Sequence, residues 1–348
     1  MRVPGLRPLS IAALLLAMPP AAPAQQNDTL TAVRGLKVGH HTLKERPTGC
    51  TVILVEGGAV AGVDVRGAAP GTRETDLLDP LNTVDTIHGI ALSGGSAFGL
   101  DAASGVMRWL EERGIGYPFG NARVPIVPAA ILFDLRVGDA LVRPGADCGY
   151  AAARAATTGP VARGSVGAGA GATVGKLLGM ERAMKGGVGS AVIRMPDGLL
   201  VAALAVVNAA GDVVDPATGK VVAGIRTEDG RGLADARTLI RGGGFRREAP
   251  AGEQTTLAVV ATNARLTKAQ ATRVAQMAHD GFARAITPVH TPVDGDTAFA
   301  IATGGLDAPA DLFLIGALAA EVTADAILDA VRSAEALPGL PAARDLAR

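Results

Sequence analysis

The stretch EQTTLAVVATNARL, Glu253 to Leu266, carries the residues around which a reaction could be built. A polar loop end gives way at Thr255 to a β-branched apolar run, and after Asn263 to the start of a helix. Threonine at the mouth of a buried strand is ordinarily just a good strand residue. It becomes a reagent if the Gln254–Thr255 bond is cut. One residue then holds both a hydroxyl nucleophile and a free α-amine whose reference pKa is about 8. That amine takes the hydroxyl proton directly or through one water, so no separate histidine base is required. Thr256 is the competing nucleophile. Adjacent strand residues face opposite sides, so only one of the two points into a pocket.

Three more polar groups stand at the ends of apolar runs. Asn208 closes the second strand of GSAVIRMPDGLLVAALAVVN, where its amide either satisfies a turn or donates to a developing oxyanion. Asp294 and Asp296 flank Gly295 at the lip of the strand in HTPVDGDTAFAIATG. Carboxylates spaced this way commonly make a turn. Beside an N-terminal amine, one of them keeps the amine charged or oriented and the other binds a substrate ammonium. The N–H groups of Gly94-Gly95-Ser96 open a helix and read either as a carboxylate or carbonyl site or as a tight packing turn. GSVGAGAGATVGK, Gly164 to Lys176, imitates a phosphate-binding loop without its essentials. Ala170 stands where a glycine is needed, and Leu177 where a Ser or Thr is needed. Close backbone packing near the site is the expectation there.

Other reactive side chains read as structural. His40 and His41 are adjacent, so a strand sends them to opposite faces and they share no metal. His279 falls on the polar side of its helix by spacing. Cys50 and Cys148 each sit among small apolar residues and read as small buried residues, with a disulfide the less favoured reading. No cofactor or metal site is expected.

These groups need elements to position them. LKVGHHT and TGCTVILVEGGAVAGVDVRG read as strands joined by Gly-rich turns. Leu100, Ala103, Met107 and Leu110 recur at helical spacing, and Gly114 ends that helix. VPIVPAAILFDL carries Pro125 and Pro128, which exclude a central strand at those points and suggest a pocket wall or an interface. DCGYAAARAA is a short helix. Pro196-Asp197-Gly198 turns one strand into the next. Residues 224–252 are charged and Gly-rich, an exposed cleavable linker delivering the chain to Thr255. Thr267 and Gln270 form a capping box for a helix burying Val274, Ala278 and Phe282. Two alanine-rich helices, separated near Thr323, follow it, and LPGLP stops the second.

The 348 residues are 48% apolar with a formal net charge of zero, which implies a globular chain and argues against nucleic acid as a partner. Residues 1–24 read as a signal peptide: Arg2 and Arg7, an apolar core, then Ala22-Pro23-Ala24 before Gln25. The periplasm is the expected destination, with no membrane anchor, and residues 25–348 the single catalytic domain.

TGCTVILV, LSGGSAFGLDAA, VGAGAGATVGK, VNAAGDVVDP, TTLAVVATNA and DGDTAFAIATG, in that order, resemble the family of the L-aminopeptidase/D-amino-acid esterase DmpA and the β-peptidyl aminopeptidases. The resemblance implies a four-layer αββα sandwich, related to that of the ornithine acetyltransferases. It also implies a precursor that cuts itself into a large subunit, 25–254, and a small subunit, 255–348. Thr255 then stands at the nucleophile and Asn208 at the oxyanion-stabilising asparagine. Asp294 and Asp296 stand at a hydroxyl and acidic pair, Asp294 where the characterised enzymes have serine. Homo-oligomers, often tetramers, and small peptide, amide or ester substrates are implied likewise. Two other functions fit the same residues: acyl transfer to an amine, and an uncut periplasmic binding protein.

Overall fold

The computed structural model describes residues 26–243 and 254–346, so the proposed signal segment and the end of the linker lie outside the described residues. The first strands are β1 (Lys37–Thr42), β2 (Gly49–Val65), β3 (Thr72–Arg73) and β4 (Thr86–Ser93). Helix α1 (Ala102–Glu111), a hairpin of β5 (Tyr117–Phe119) and β6 (Ala122–Val124), β7 (Ala129–Ile131) and α2 (Ala146–Ala155) follow. Next come β8 (Thr173–Val174), β9 (Met184–Lys185), β10 (Gly187–Arg194), β11 (Leu200–Asn208), β12 (Asp212–Val214), β13 (Val221–Ala223) and the short α3 (Ala236–Arg241). The chain ends with β14 (Thr255–Thr262), α4 (Lys268–Ala285), β15 (Ile286–Thr287), β16 (Thr297–Ala302), α5 (Leu312–Ser333) and α6 (Ala343–Leu346).

One large sheet runs β10-β11-β14-β16-β2-β4-β7-β3, and β1 also pairs with β2. Strand β2 makes this sheet into two layers. Its first half pairs with β1 and β4, while Val60–Val65 pair with β16. Between the halves the register with β4 shifts, from Leu54 to Ala59, across Gly57 and Gly58. Gly58 has φ +77°, a conformation open to glycine at little cost. The two glycines therefore bulge a continuous strand instead of ending it, and the bulge bends it from one layer into the other.

Side-chain alternation then fills three interfaces. Ile53, Val55, Ile90 and Leu92 meet Leu204, Val206, Leu257 and Val259 between the sheet halves. Ala203, Val207, Ala258 and Val260 pack under Val274, Phe282, Ile315 and Val322 of α4 and α5. Val52 and Leu54 pack under Val106 and Leu110 of α1 and Ala152 of α2. The result is the expected αββα sandwich.

The local expectations are met at the Pro196-Asp197-Gly198 turn, where Gly198 has φ +89°, and at the Thr267–Gln270 capping box. Two are corrected, and one left open is decided. The carboxyl-terminal helix is one 22-residue element through Thr323. Thr323 is buried because α4 crosses there, its Gly281 lying against Ala320 and Thr323. Cys50 and Cys148, read as two separate small residues, are disulfide-bonded with Cα atoms 6.2 Å apart, because α2 packs on the start of β2. The Gly94-Gly95-Ser96 donors are all taken, by Gly49 O, Asp134 Oδ1 and Leu132 O at 2.9–3.0 Å. That segment is the packing turn of the two readings, and the carboxylate on its Gly95 N–H is the chain's own Asp134.

A Cβ on Gly62 would strike the backbone of Ala271 and Thr272 in α4, whereas Gly57 has open space around it. Gly62→Ala is expected to destabilise by about 1–3 kcal/mol, the cost of overpacking, and Gly57→Ala by much less. Thermal unfolding of the two variants checks the difference.

Candidate active site

Strand β14 lies between β11, antiparallel, and β16, parallel. Its alternation decides between the two threonines. Thr255 shares the face of Leu257 and Val259, which points between the sheets; Thr256 shares the face of Ala258 and Val260, which points at the helices. Thr255 is 2% exposed and its Oγ1 donates to Gln254 O at 2.6 Å. The Gly295 N–H donates to that same carbonyl at 2.8 Å. The peptide carbonyl expected to be cut thus already carries a backbone donor.

Asn208 sits directly opposite Thr255 in the ladder and is fully buried. Its Oδ1 accepts from Thr173 N at 2.9 Å and from Lys176 Nζ at 3.0 Å, and Nδ2 donates to Phe133 O at 3.0 Å. Because both groups facing Oδ1 can only donate, the amide orientation is settled. In the uncut chain one Asn208 Nδ2 hydrogen goes to Phe133 O, and the Gly295 N–H serves the Gln254 carbonyl.

Lys176 was read only as the end of a false phosphate loop, and it belongs to this cluster. Its Nζ also donates to Asn208 O at 2.9 Å, and it is 8% exposed. The loop reaches the site by close backbone approach, as expected of its glycines. A Cβ on Gly175, at φ +71°, would strike Gly224 and Ile225. The signal available in the sequence was a lone cation at the end of an otherwise apolar run.

The DGD segment stands on the other side of Thr255. Gln254 bridges Asp294, and a Cβ on Gly295 would lie 2.8 Å from Thr255 Oγ1, so no larger residue fits there comfortably. Asp294 Oδ2 accepts from Thr291 N at 2.7 Å. Burial, reinforced by the neighbouring Asp296 charge, pushes the Asp294 carboxyl up to about 6, with Lys176 pulling the other way. Asp296 Oδ1 accepts from Thr256 N at 2.6 Å, and Oδ2 from His290 Nδ1 at 2.8 Å.

His279, expected on a polar helix face, is 1% exposed beneath this cluster. The loop carrying His290 and the end of β2 cover it, its Nε2 donating to Asp64 O at 3.0 Å. Burial drives its pKa down to about 4. His40 likewise turns inward onto Thr51, and burial lowers it to about 4. A small crevice lined by Phe133, Asp134, Val137, Thr173, Lys176 and Met180 adjoins the Lys176 end of the site, and Phe133 and Asp134 come from the VPIVPAAILFDL segment. Two roomier surface grooves, of about 580 and 510 Å³, involve neither Thr255, Asn208, Asp294 nor Asp296.

Two facing β layers enclosed by layers of helices match the fold of a solved structure described as a variant of the Ntn hydrolase fold. In fold the chain is similar to the L-aminopeptidase D-Ala-esterase/amidase of Ochrobactrum anthropi, with a TM-score of 0.68 and 20% identity over 92% of this chain and 91% of that one. It is likewise similar to a Burkholderia β-aminopeptidase, with a TM-score of 0.65 and 24% identity over 90% and 88%. The description Peptidase family S58 matches residues 28–344, and the chain belongs to that family. It is 42% identical to an uncharacterized aminopeptidase of Mycobacterium tuberculosis over 92% of this chain and 98% of the relative. It is 33% identical to a 6-aminohexanoate-oligomer endohydrolase of Kocuria over 86% and 84%. The protein is accordingly a peptide-bond hydrolase of the aminopeptidase family.

The raised Asp294 carboxyl gives opposite signs for stability and rate. Its folded value, about 6, exceeds the ordinary 3.8, so its stabilising contribution is full below 3.8 and lost as pH rises through 6. Asp212, raised to about 6 by burial, acts in the same window. The rate at which the uncut chain is processed is expected to rise through a midpoint near pH 6 as Asp294 ionises. Asp294→Asn is expected to remove that limb from the rate profile and to flatten part of the melting-temperature decline over the same range.

Proposed function

We propose that this chain is an exported, self-cleaving aminopeptidase or amidase whose nucleophile is Thr255, freed by scission after Gln254. One observation carries the reading: Thr255 Oγ1 and the Gly295 N–H both lie on the Gln254 carbonyl oxygen, at 2.6 and 2.8 Å. In the first step Oγ1 attacks the Gln254 carbonyl carbon, and the Thr255 nitrogen leaves as an amine. The hydroxyl proton passes to a neighbouring base, because the Thr255 nitrogen is still an amide; the Asp294 carboxylate is the acceptor at hand, and it returns the proton to the Thr255 nitrogen as that nitrogen leaves. Water then cleaves the ester between Oγ1 and Gln254, leaving a carboxylate and a free Thr255.

In the mature enzyme the same hydroxyl attacks the carbonyl of a substrate's first residue, and the α-amine accepts its proton. Base assistance of this kind is worth about 10²–10⁴ in rate, and one oxyanion donor about 10²–10³. The Gly295 N–H supplies one donor. Asn208 supplies a second through the Nδ2 hydrogen not given to Phe133, with Lys176 beside it as a cation. Asp294 holds the new amine or the substrate ammonium, Asp296 being engaged with the Thr256 N–H and His290. Periplasmic location and a homo-oligomer, a tetramer by resemblance, belong to the same proposal.

A second substrate class is favoured by one observation. Relatives at 33% identity are named for cleaving 6-aminohexanoate oligomers internally, so an internal amide bond of an unbranched ω-amino acid is a candidate alongside an N-terminal residue. A panel of L-, D- and β-aminoacyl p-nitroanilides, dipeptides and 6-aminohexanoate oligomers separates the two, and acetyl transfer without hydrolysis would point to the acyltransferase reading instead.

Thr255→Ala is expected to leave the chain whole at position 254 and to lose at least about 10³ in turnover, whereas Thr256→Ala is expected to process. Mass spectrometry and N-terminal sequencing check this. A fully active uncut chain, or a small subunit beginning elsewhere than Thr255, overturns the scheme.

A further inference from the structure

Behind Asp296 the structure holds two imidazoles that the reaction scheme leaves unused. His290 reaches Asp296 Oδ2 twice, through Nδ1 at 2.8 Å and through its own backbone N–H at 3.2 Å. It does so from φ +52°, a left-handed conformation uncommon for a residue with a Cβ. Such a conformation persists only where surrounding contacts over-determine it.

Those contacts come from α4. The His279 ring meets the His290 ring edge-on, with centroids 4.7 Å apart, and Phe282 lies 5.7 Å from His290 and 4.9 Å from His279. His279 is held in turn. A carbonyl can only accept, so the bond to Asp64 O places the proton on Nε2. Its Nδ1 is therefore a bare acceptor, and it is buried without a hydrogen-bond partner, as is Nε2 of His290. With His279 pinned at its far nitrogen and Phe282 beside it, the His290 ring has little freedom to turn away from the carboxylate.

We propose that His290, clamped by His279 and Phe282, is a positioning residue that holds the Asp296 carboxylate in the one orientation where Oδ1 accepts from the Thr256 N–H. The inference rests on the reading of Thr255 as nucleophile, since Asp296 acts through the residue that follows it. Oδ1 is tied to the Thr256 amide at 2.6 Å and Oδ2 to His290, so loss of the imidazole donor leaves Oδ2 with only the longer 3.2 Å bond from the His290 backbone N–H and loosens the carboxylate about its bond to Cβ. The strand start carrying Thr255 then loses its register with the DGD segment. His290 touches no reacting atom, and the effect falls on rate and not on substrate affinity.

The test is a pair of amides. An asparagine Nδ2 stands close to where histidine Nδ1 does, and asparagine is among the residues that best tolerate positive φ. A glutamine amide reaches the Nε2 position and misses Asp296. His290→Asn is expected to keep kcat within about threefold, and His290→Gln to lower it on the order of tenfold, the worth of one hydrogen bond to a charged group. KM is expected to stay within about twofold in both, and the rate of self-cleavage to follow kcat. His290→Gly, unstrained at that φ, substitutes for the glutamine variant if the latter does not fold, with the same expected loss. Equal kcat in the Asn and Gln variants, or an unimpaired Gly variant, overturns the proposal. Thr255→Ala, run in parallel, separates the two levels. Retained hydrolysis there would reject the nucleophile reading, while the kcat comparison at position 290 still decides the role of His290.

Discussion

Everything at this site depends on an interruption in the pairing of two inner strands. The β14–β16 ladder is regular from Leu257 and Thr297 onward, and Gln254 bridges Asp294 just before it. Between those points ordinary strand pairing is replaced. The Thr256 N–H goes to a side chain, Asp296, and the Gly295 N–H goes to the Gln254 carbonyl. Buried backbone groups must be paired, so this short gap is also where the chain is most precisely specified. A residue bulkier than glycine at 295 would crowd Thr255 Oγ1.

The same constraint explains the cations packed around it. The loop from Gly164 to Lys176 comes too close to neighbouring backbone for side chains at several positions, Gly169 against Val188 and Gly175 against Gly224 among them. With few side chains to pack, its carbonyls are held by lysine. Lys185 donates to Gly169 O, Ala172 O and Gly186 O at 2.8–3.1 Å, and burial brings its pKa down to about 7. Lys176, nine residues earlier, applies a cation to Asn208 in the same manner. Burying an ammonium is costly unless several acceptors surround it, and both lysines meet that condition. The loop is thus rigid where it meets the site.

Sequence reasoning reached the parts of this arrangement that local pattern determines. Thr255, Asn208, Asp294 and Asp296 each end or begin an apolar run, which marks them as polar groups at strand mouths, and the structure gathers all four around one peptide bond. The capping box and the Pro-Asp-Gly turn are equally local. What stayed hidden was set by packing between distant segments. His279 counts as polar-side along its own helix, yet the end of β2 and the His290 loop cover it. Thr323 breaks the apolar pattern of a helix that continues because α4 needs a small partner for Gly281 at that crossing. Cys50 and Cys148 lie 98 residues apart, and only the docking of α2 on β2 brings them into bonding distance.

Burial of Thr255 at 2% exposure would be a poor property in a finished catalyst, and it is a good one in a precursor. The strand that buries it also holds the Gln254–Thr255 bond in a single geometry, with the Thr255 hydroxyl and the Gly295 N–H already on the carbonyl. On the proposed reading, scission removes Gln254 from the Gly295 N–H and leaves that donor facing the space the old carbonyl occupied. A substrate carbonyl entering there meets the same hydroxyl and the same donor as the chain's own peptide did. Preorganised donors stabilise a transition state because they need no reorganisation when charge develops. The ladder on the far side of Thr255, from Leu257 on, is untouched by the cut, so the geometry that serves the first reaction is carried into the second.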